Sequence, residues 1–120
     1  MKSYCTAFMS DLQQKNIQLL DKWFNDESTV WIPPANPLKG KRKILVMFRA
    51  IFSKYADLNW QVKAIHEIEN NHCIYLSDSW GERKDGSPYK NHVVTDVVFN
   101  QQGEIIDLSD YFKDTVAFKS

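Results

Sequence analysis

Three aspartates, Asp78, Asp96 and Asp110, stand at even positions of three segments in which polar and apolar residues alternate, each with hydrophobic residues two places away. A carboxyl among Val and Leu is costly to ionise, and a second carboxylate nearby raises that cost. Such a group can divide labour with its neighbours. A protonated acid donates a hydrogen bond to a developing oxyanion, while an ionised partner takes a proton. His92, four residues before Asp96, adds the side chain that ordinarily titrates nearest neutral pH. The pattern therefore predicts acid-base chemistry with Asp96 as acid and Asp110 or His92 as base. Asp78, Trp80, Trp31, Phe48 and Phe52 are the expected substrate wall. The alternative keeps the same aspartates as structural acceptors in a ligand-binding or dimerising domain without catalysis. The three histidines show no HxH or HExxH spacing, so no metal site and no cofactor are expected.

The elements that must position these residues follow from periodicity. Tyr4, Phe8 and Leu12 mark one face of a helix, and Asn16 can cap a second that carries Leu19, Leu20, Trp23 and Phe24 to about residue 25. Thr29 to Ile32 reads as a short strand, ended by Pro33, Pro34 and Pro37. Ile44, Met47, Phe48, Ile51, Phe52 and Tyr55 then fit a single helical stripe after Gly40. Beyond Asp57 the period changes to two, with Trp60, Val62, Ala64, His66 and Ile68 on one face. Turn signals at Asn70-Asn71, Asp85-Gly86-Ser87-Pro88 and Gln102-Gly103 separate strands at 72–82, 89–99 and 104–112. Val116, Ala117 and Phe118 are expected to cover a sheet edge.

Strand parity then decides what faces the pocket. The even positions are taken as inward: Ile74, Leu76, Asp78 and Trp80; His92, Val94, Asp96 and Val98; Ile106, Leu108, Asp110 and Phe112. The other face, with Tyr75, Val93, Val97, Phe99, Ile105 and Tyr111, is too apolar to be left wet and reads as a homodimer interface.

Composition sets the class. The 120 residues suit one domain spanning 1–120, and 43% hydrophobic with 25% charged residues is ordinary for a globular chain. Lys and Arg equal Asp and Glu at 15 each, which leaves no field to attract nucleic acid. The first 15 residues carry no apolar run like that of an export signal, and no segment suggests a membrane partner. Cys5 and Cys73 form no CxxC motif and read as reduced thiols of a cytoplasmic protein.

The order helix, helix, short strand, proline loop, helix, four-strand meander resembles the SnoaL-like branch of the nuclear-transport-factor-2-like superfamily. Phe24-Asn25-Asp26-Glu27-Ser28-Thr29-Val30 before Pro33, Gly40 with Ile44, and Phe99 to Ile105 with Tyr111 are similar to that family's motifs. The resemblance covers roughly residues 8–118. It implies a cystatin-like α+β cone, three N-terminal helices on a curved, mostly antiparallel sheet around a pocket for a small apolar or cyclic molecule. Activities hosted by the superfamily include isomerases, cyclases and hydrolases. Asp96 stands where ketosteroid isomerase has its proton-donating aspartate. That enzyme's base position holds Ile32, and its pocket tyrosines are replaced by Phe8 and Phe48. Ser109-Asp110-Tyr111-Phe112 resembles the stretch bearing a catalytic aspartate of limonene epoxide hydrolase, whose arginine and second aspartate fall near Asp78 and Trp80. The late-strand aspartate and histidine of the polyketide cyclases are matched by element in Asp110, Asp96 and His92.

Overall fold

A computed structural model describes residues 2–118. The chain runs α1 (Lys2–Gln13), α2 (Ile17–Leu20) with a 3-10 turn at Asp21–Trp23, β1 (Thr29–Trp31), β2 (Leu38–Lys39), α3 (Lys41–Ser53), β3 (Tyr55–Glu69), β4 (His72–Arg83), β5 (Pro88–Phe99) and β6 (Ile105–Phe112), and a final 3-10 turn at Val116–Phe118. This is the α+β architecture expected: three helices cover one face of a six-stranded sheet ordered β2-β1-β6-β5-β4-β3. Among the described residues only β1 and β6 pair in parallel.

The helices form where apolar spacing and caps coincide. Cys5, Phe8, Met9 and Leu12 bury one stripe of α1. The Asn16 side chain accepts a 3.0 Å bond from the Gln18 amide and starts α2, satisfying one of the donors a helix start leaves open. Gly40 takes a φ of 98° immediately before α3, a conformation that side chains resist, and Ile44, Met47 and Phe48 then face the core. Tyr55 does not extend α3 as its spacing suggests. Lys54 closes the helix with a hydrogen bond donated from its backbone amide to Ile51 O, and Tyr55 opens β3 instead.

Hairpins set the registers. Asn71, in the left-handed region at φ 66°, turns β3 into β4. A register shift between Val62 and Ala64 then splits the alternation read for β3. Trp60, Val62 and Ile65 pack on the core, while Ile68 is exposed. Gly81 lies so close to β3 that a Cβ there would collide with the Asp57 carbonyl.

The inward set on β4 and β5 is the odd one, opposite to the expectation. Cys73, Tyr75, Ser77 and Ser79 are buried on β4, and Tyr89, Asn91, Val93, Thr95, Val97 and Phe99 on β5. A register shift near Phe99 changes parity at β6, whose Leu108, Asp110 and Phe112 stand opposite Val97, Thr95 and Val93. The residues expected at a dimer face, Tyr75, Val93, Val97, Phe99 and Ile105, are therefore core, and of that set only Tyr111 is on the open face.

Candidate functional site

The concave side of the sheet and the α3 face enclose a cavity of about 960 Å³. Such a volume suits a drug-sized ligand. Phe48, Ile51 and Phe52 reach it from α3, Ile32 to Ala35 from the loop after β1, and Leu58 and Trp60 from β3. That loop includes the cis Pro33-Pro34 bond. Ser79, Val93, Asp110 and Phe112 form the sheet wall. Tyr55, Arg83 and Tyr89 stand with the C-terminal turn at one end.

Asp110 is the polar centre of the wall. Thr95, its partner across β5 and β6, donates a 2.6 Å hydrogen bond to Oδ1. The other oxygen has no partner among the described residues. Burial pushes the carboxyl up to about 7, against the opposing pull of the Thr95 bond. Near neutral pH this group is thus divided between a donor and an acceptor form. Tyr75 lies behind it, its hydroxyl directed to Met9 Sδ at 3.2 Å and held protonated by burial first and the Asp110 charge second.

Two inner residues along β4 from Tyr75 is Ser79, only 1% exposed. Its hydroxyl makes no hydrogen bond of sound geometry among the described residues. It is near enough to Tyr89 to favour that residue's ionised form, yet burial dominates and raises the Tyr89 hydroxyl to about 12. Tyr55 stacks on Tyr89 at 5.1 Å, and the Arg83 guanidinium lies 5.5 Å above the Tyr89 ring. Arg83 also ties the tail down through Nη2 to Ala117 O at 2.7 Å. Asn91 bonds Asp114 in both directions, at 2.9 and 3.0 Å, and Phe118 packs edge-on against Phe112 at 4.6 Å. The tail residues Val116 to Phe118 consequently line the cavity rather than cover a sheet edge.

Of the residues expected to form the site, Asp110, Phe48 and Phe52 line this cavity. Asp78, His92, Asp96 and Trp80 do not, because the parity of β4 and β5 turns them to the outer face. There Asp96 Oδ1 meets His72 Nε2 at 2.6 Å, and Asp78 Oδ1 meets His92 Nδ1 at 2.8 Å. Hydrogen bonding to His92 is the main reason the Asp78 carboxyl sits below its usual range. Trp80 is 41% exposed, and Trp31, on the short β1, is 48% exposed and outside the cavity lining. The three aspartates therefore share no cavity. Thr95, Ser79, Tyr55, Tyr89 and Arg83 were missed. The signal for them was residue type: the odd positions of β4 and β5 hold no Asp, Glu, Lys or His and only Arg83 at the strand end, whereas the even positions carry Asp78, Glu82, Lys90, His92 and Asp96.

Among the described residues no group of three or more His, Cys, Asp and Glu is placed to hold a metal ion, and no helix is long and apolar enough to cross a membrane.

Comparison with known proteins agrees with the fold. An NTF2-like protein of unknown function from Exiguobacterium sp. 255-15 superposes with a TM-score of 0.81 at 16% identity, over 93% of this chain and 99% of that one. TerC co-crystallised with polyporic acid gives 0.81 at 13%, over 97% and 92%. A protein from Catenulispora acidiphila DSM 44928 with a ketosteroid isomerase-like fold, in complex with trimethylamine, gives 0.80 at 15%, over 90% and 83%. At these identities the likeness is one of fold. No curated protein matches the sequence. The SnoaL-like domain family matches residues 5–108, nearly the whole of the helix-and-sheet body that encloses the cavity, and the chain belongs to that family.

Proposed function

We propose that this chain binds a small, largely apolar cyclic or carbonyl-bearing molecule in its cavity and handles protons there through Asp110, as an isomerase, cyclase or hydrolase does. The observation that carries this reading is Asp110 itself, a carboxyl in an aromatic and aliphatic wall, bonded on one oxygen by Thr95 and raised to about 7 by burial. Protonated, it donates to a carbonyl or enolate oxygen; ionised, it accepts a proton from carbon or water. The acid role expected of Asp96 and the base role of His92 pass to this one group. Relatives of the same fold crystallised with polyporic acid and with trimethylamine support a ligand pocket. Binding without catalysis is the second reading. It is favoured by one observation: Thr95 is the sole hydrogen-bond partner of Asp110 among the described residues, so no second acid or base touches it.

A thermal-shift screen of cyclic ketones, lactones and hydroxyarenes at pH 6 and pH 8 tests the reading. Hits should stabilise the wild type more at pH 6, where Asp110 donates, and this pH dependence should vanish in Asp110→Asn. Hits that stabilise both proteins equally at both values would remove Asp110 from the site. Turnover of any hit, lost in Asp110→Asn, would separate catalysis from binding.

The same proposal includes a homodimer through the outer sheet face. Leu76, Val94 and Tyr111 align across β4, β5 and β6 and are exposed, Tyr111 at 61%. Lys63, Lys90, His92 and Lys113 lie toward one end of this strip, with Asp78 among them, and Asp96 and Asp107 toward the other. A two-fold axis through the Leu76–Val94 row sets each cationic end on the partner's acidic end. Sedimentation should show a dimer that Val94→Lys dissociates. A wild-type monomer at high micromolar concentration would refute it. The buried free thiols Cys5 and Cys73, side by side in the core, support residence in a reducing compartment such as the cytoplasm.

A further inference from the structure

The cavity has a second polar station, remote from Asp110. Asp110 stands in the row of Thr95 and Tyr75, and Ser79 lies four residues along β4 from Tyr75, ~13 Å at the rise of an extended strand. Val93 and Phe112 fill the wall between them. Around Ser79 the available groups are of one kind. Its own hydroxyl is buried and unpartnered, the Tyr89 hydroxyl is beside it, and Tyr55 stacks on Tyr89.

Two cations complete the station. Arg83 spends Nη1 on Pro88 O at 2.6 Å and Ser87 Oγ at 3.4 Å, and Nη2 on Ala117 O. These acceptors are neutral, and no carboxylate lies within ion-pair distance of Arg83 among the described residues. Lys54, exposed on the rim at the end of α3, also has no ion-pair partner there. One carboxylate, Asp85, shares the rim, but its Oδ1 is turned to the Ser87 amide at 2.9 Å and hydroxyl at 2.6 Å. Two cations against one anion leave this end of an otherwise apolar cavity positive.

We propose that this end is an anion subsite, with Arg83 and Lys54 supplying charge and the Ser79 and Tyr89 hydroxyls supplying hydrogen bonds. The ligand is accordingly an elongated apolar or aromatic molecule with a carboxylate, sulfonate or phenolate at the Arg83 end and its neutral part toward Asp110. This rests on the reading of the cavity as a small-molecule pocket, and it adds the chemical class and the orientation. An anion here satisfies the orphaned Ser79 donor, which costs free energy while unpaired.

A matched pair of fluorescent probes tests it: 1-anilinonaphthalene-8-sulfonate and N-phenyl-1-naphthylamine, the same aromatic body with and without the anion. Titration into the full chain should show the sulfonate binding about tenfold more tightly, the discrimination expected of one hydrogen-bonded charge. Arg83→Gln should reduce that preference to within about twofold, leaving the neutral probe unchanged. Because Arg83 also holds the tail, Lys54→Gln is the second variant; its side chain has no internal partner, and it should weaken the sulfonate alone several-fold. Ala50→Trp, at an exposed lining position of α3, should expel both probes and so locates them. If the neutral probe binds and is expelled but the sulfonate shows no preference, or both charge variants leave the preference intact, the anion subsite is overturned and the pocket survives. Sulfonate binding that persists in Ala50→Trp also overturns the subsite. If neither probe binds, the pocket reading falls with it.

Discussion

Replacing Asp110 by Asn removes one ionisation and little else, since Asn keeps the shape and can still accept the Thr95 hydrogen bond. In the folded wild type this carboxyl titrates at about 7 rather than its ordinary 3.8. Between those values the folded chain holds a proton that the unfolded chain has released. Stability must therefore fall as pH rises from about 4 to about 7 and level off above. At about 1.4 kcal/mol for each tenfold in proton affinity, the difference amounts to about 4 kcal/mol. Asp110 keeps a partial edge of contact with the cavity, so water there trims the cost and makes this figure a ceiling. Other carboxyls titrate too: Asp107 is raised by burial and by Asp96, while Asp11, Asp78, Asp85 and Glu104 are lowered. Their contributions cancel in the difference between wild type and Asp110→Asn. Urea denaturation of both proteins from pH 4.5 to pH 8 should show the variant gaining on the wild type by up to ~3 kcal/mol as pH rises, the remainder having been lost below pH 4.5. Parallel profiles would refute the buried, raised carboxyl, and with it the proton-handling role.

Three further outcomes follow from named contacts. Thr95→Val removes the donor that favours ionised Asp110, so carbon-detected NMR should place the Asp110 titration above about 7; a lower value would show that Thr95 does not govern it. Gly81→Ala forces a Cβ into the Asp57 carbonyl and should destabilise the fold by roughly 3 kcal/mol or more in urea, whereas an unchanged midpoint would contradict the β3–β4 register. Cys5 and Cys73 are fully buried, and burial first and Cys73 second push the Cys5 thiol up to about 12, so a thiol reagent should react only after denaturation; rapid reaction of the native chain would contradict that packing.

Element order was legible because the signals that mark it are local. Asn16, Gly40, Asn71 and Gly103 each stop or start an element through backbone preferences that no tertiary contact needs to supply. Facing was harder. A hairpin whose partners sum to a constant keeps β4 and β5 in step, so a wrong choice of parity flips both strands together. The choice went astray because the outer set, Ile74, Leu76, Trp80, Val94 and Val98, contains more large apolar side chains than an ordinary solvated face, while Ser77, Ser79, Asn91 and Thr95 look like surface residues yet are buried. Asp110 was placed correctly in an incorrect scheme. The register shift at Phe99 moves β6 to the opposite parity from β5, a one-residue event with no sequence marker of its own.

The same inversion explains why there is a cavity at all. Toward the Gly81 end, apart from Tyr89, the inner face of β4 and β5 narrows to Ser77, Ser79, Gly81, Asn91 and Val93, side chains too short to meet Phe48 and Phe52 across the space beneath α3. A well-packed core would fill that gap with Leu or Phe. The polar groups of this inner face differ in what they touch. Asn91 is bonded to the tail and Thr95 to Asp110, whereas the buried Ser79 hydroxyl has no hydrogen-bond partner among the described residues. Buried polar groups that are left open cost stability unless something completes them. A ligand bearing oxygens toward both stations does so. The hollow, the polar inner strands and the displaced Asp110 titration thus share one cause, the placement of small and polar residues on the side of the sheet where bulk would ordinarily be.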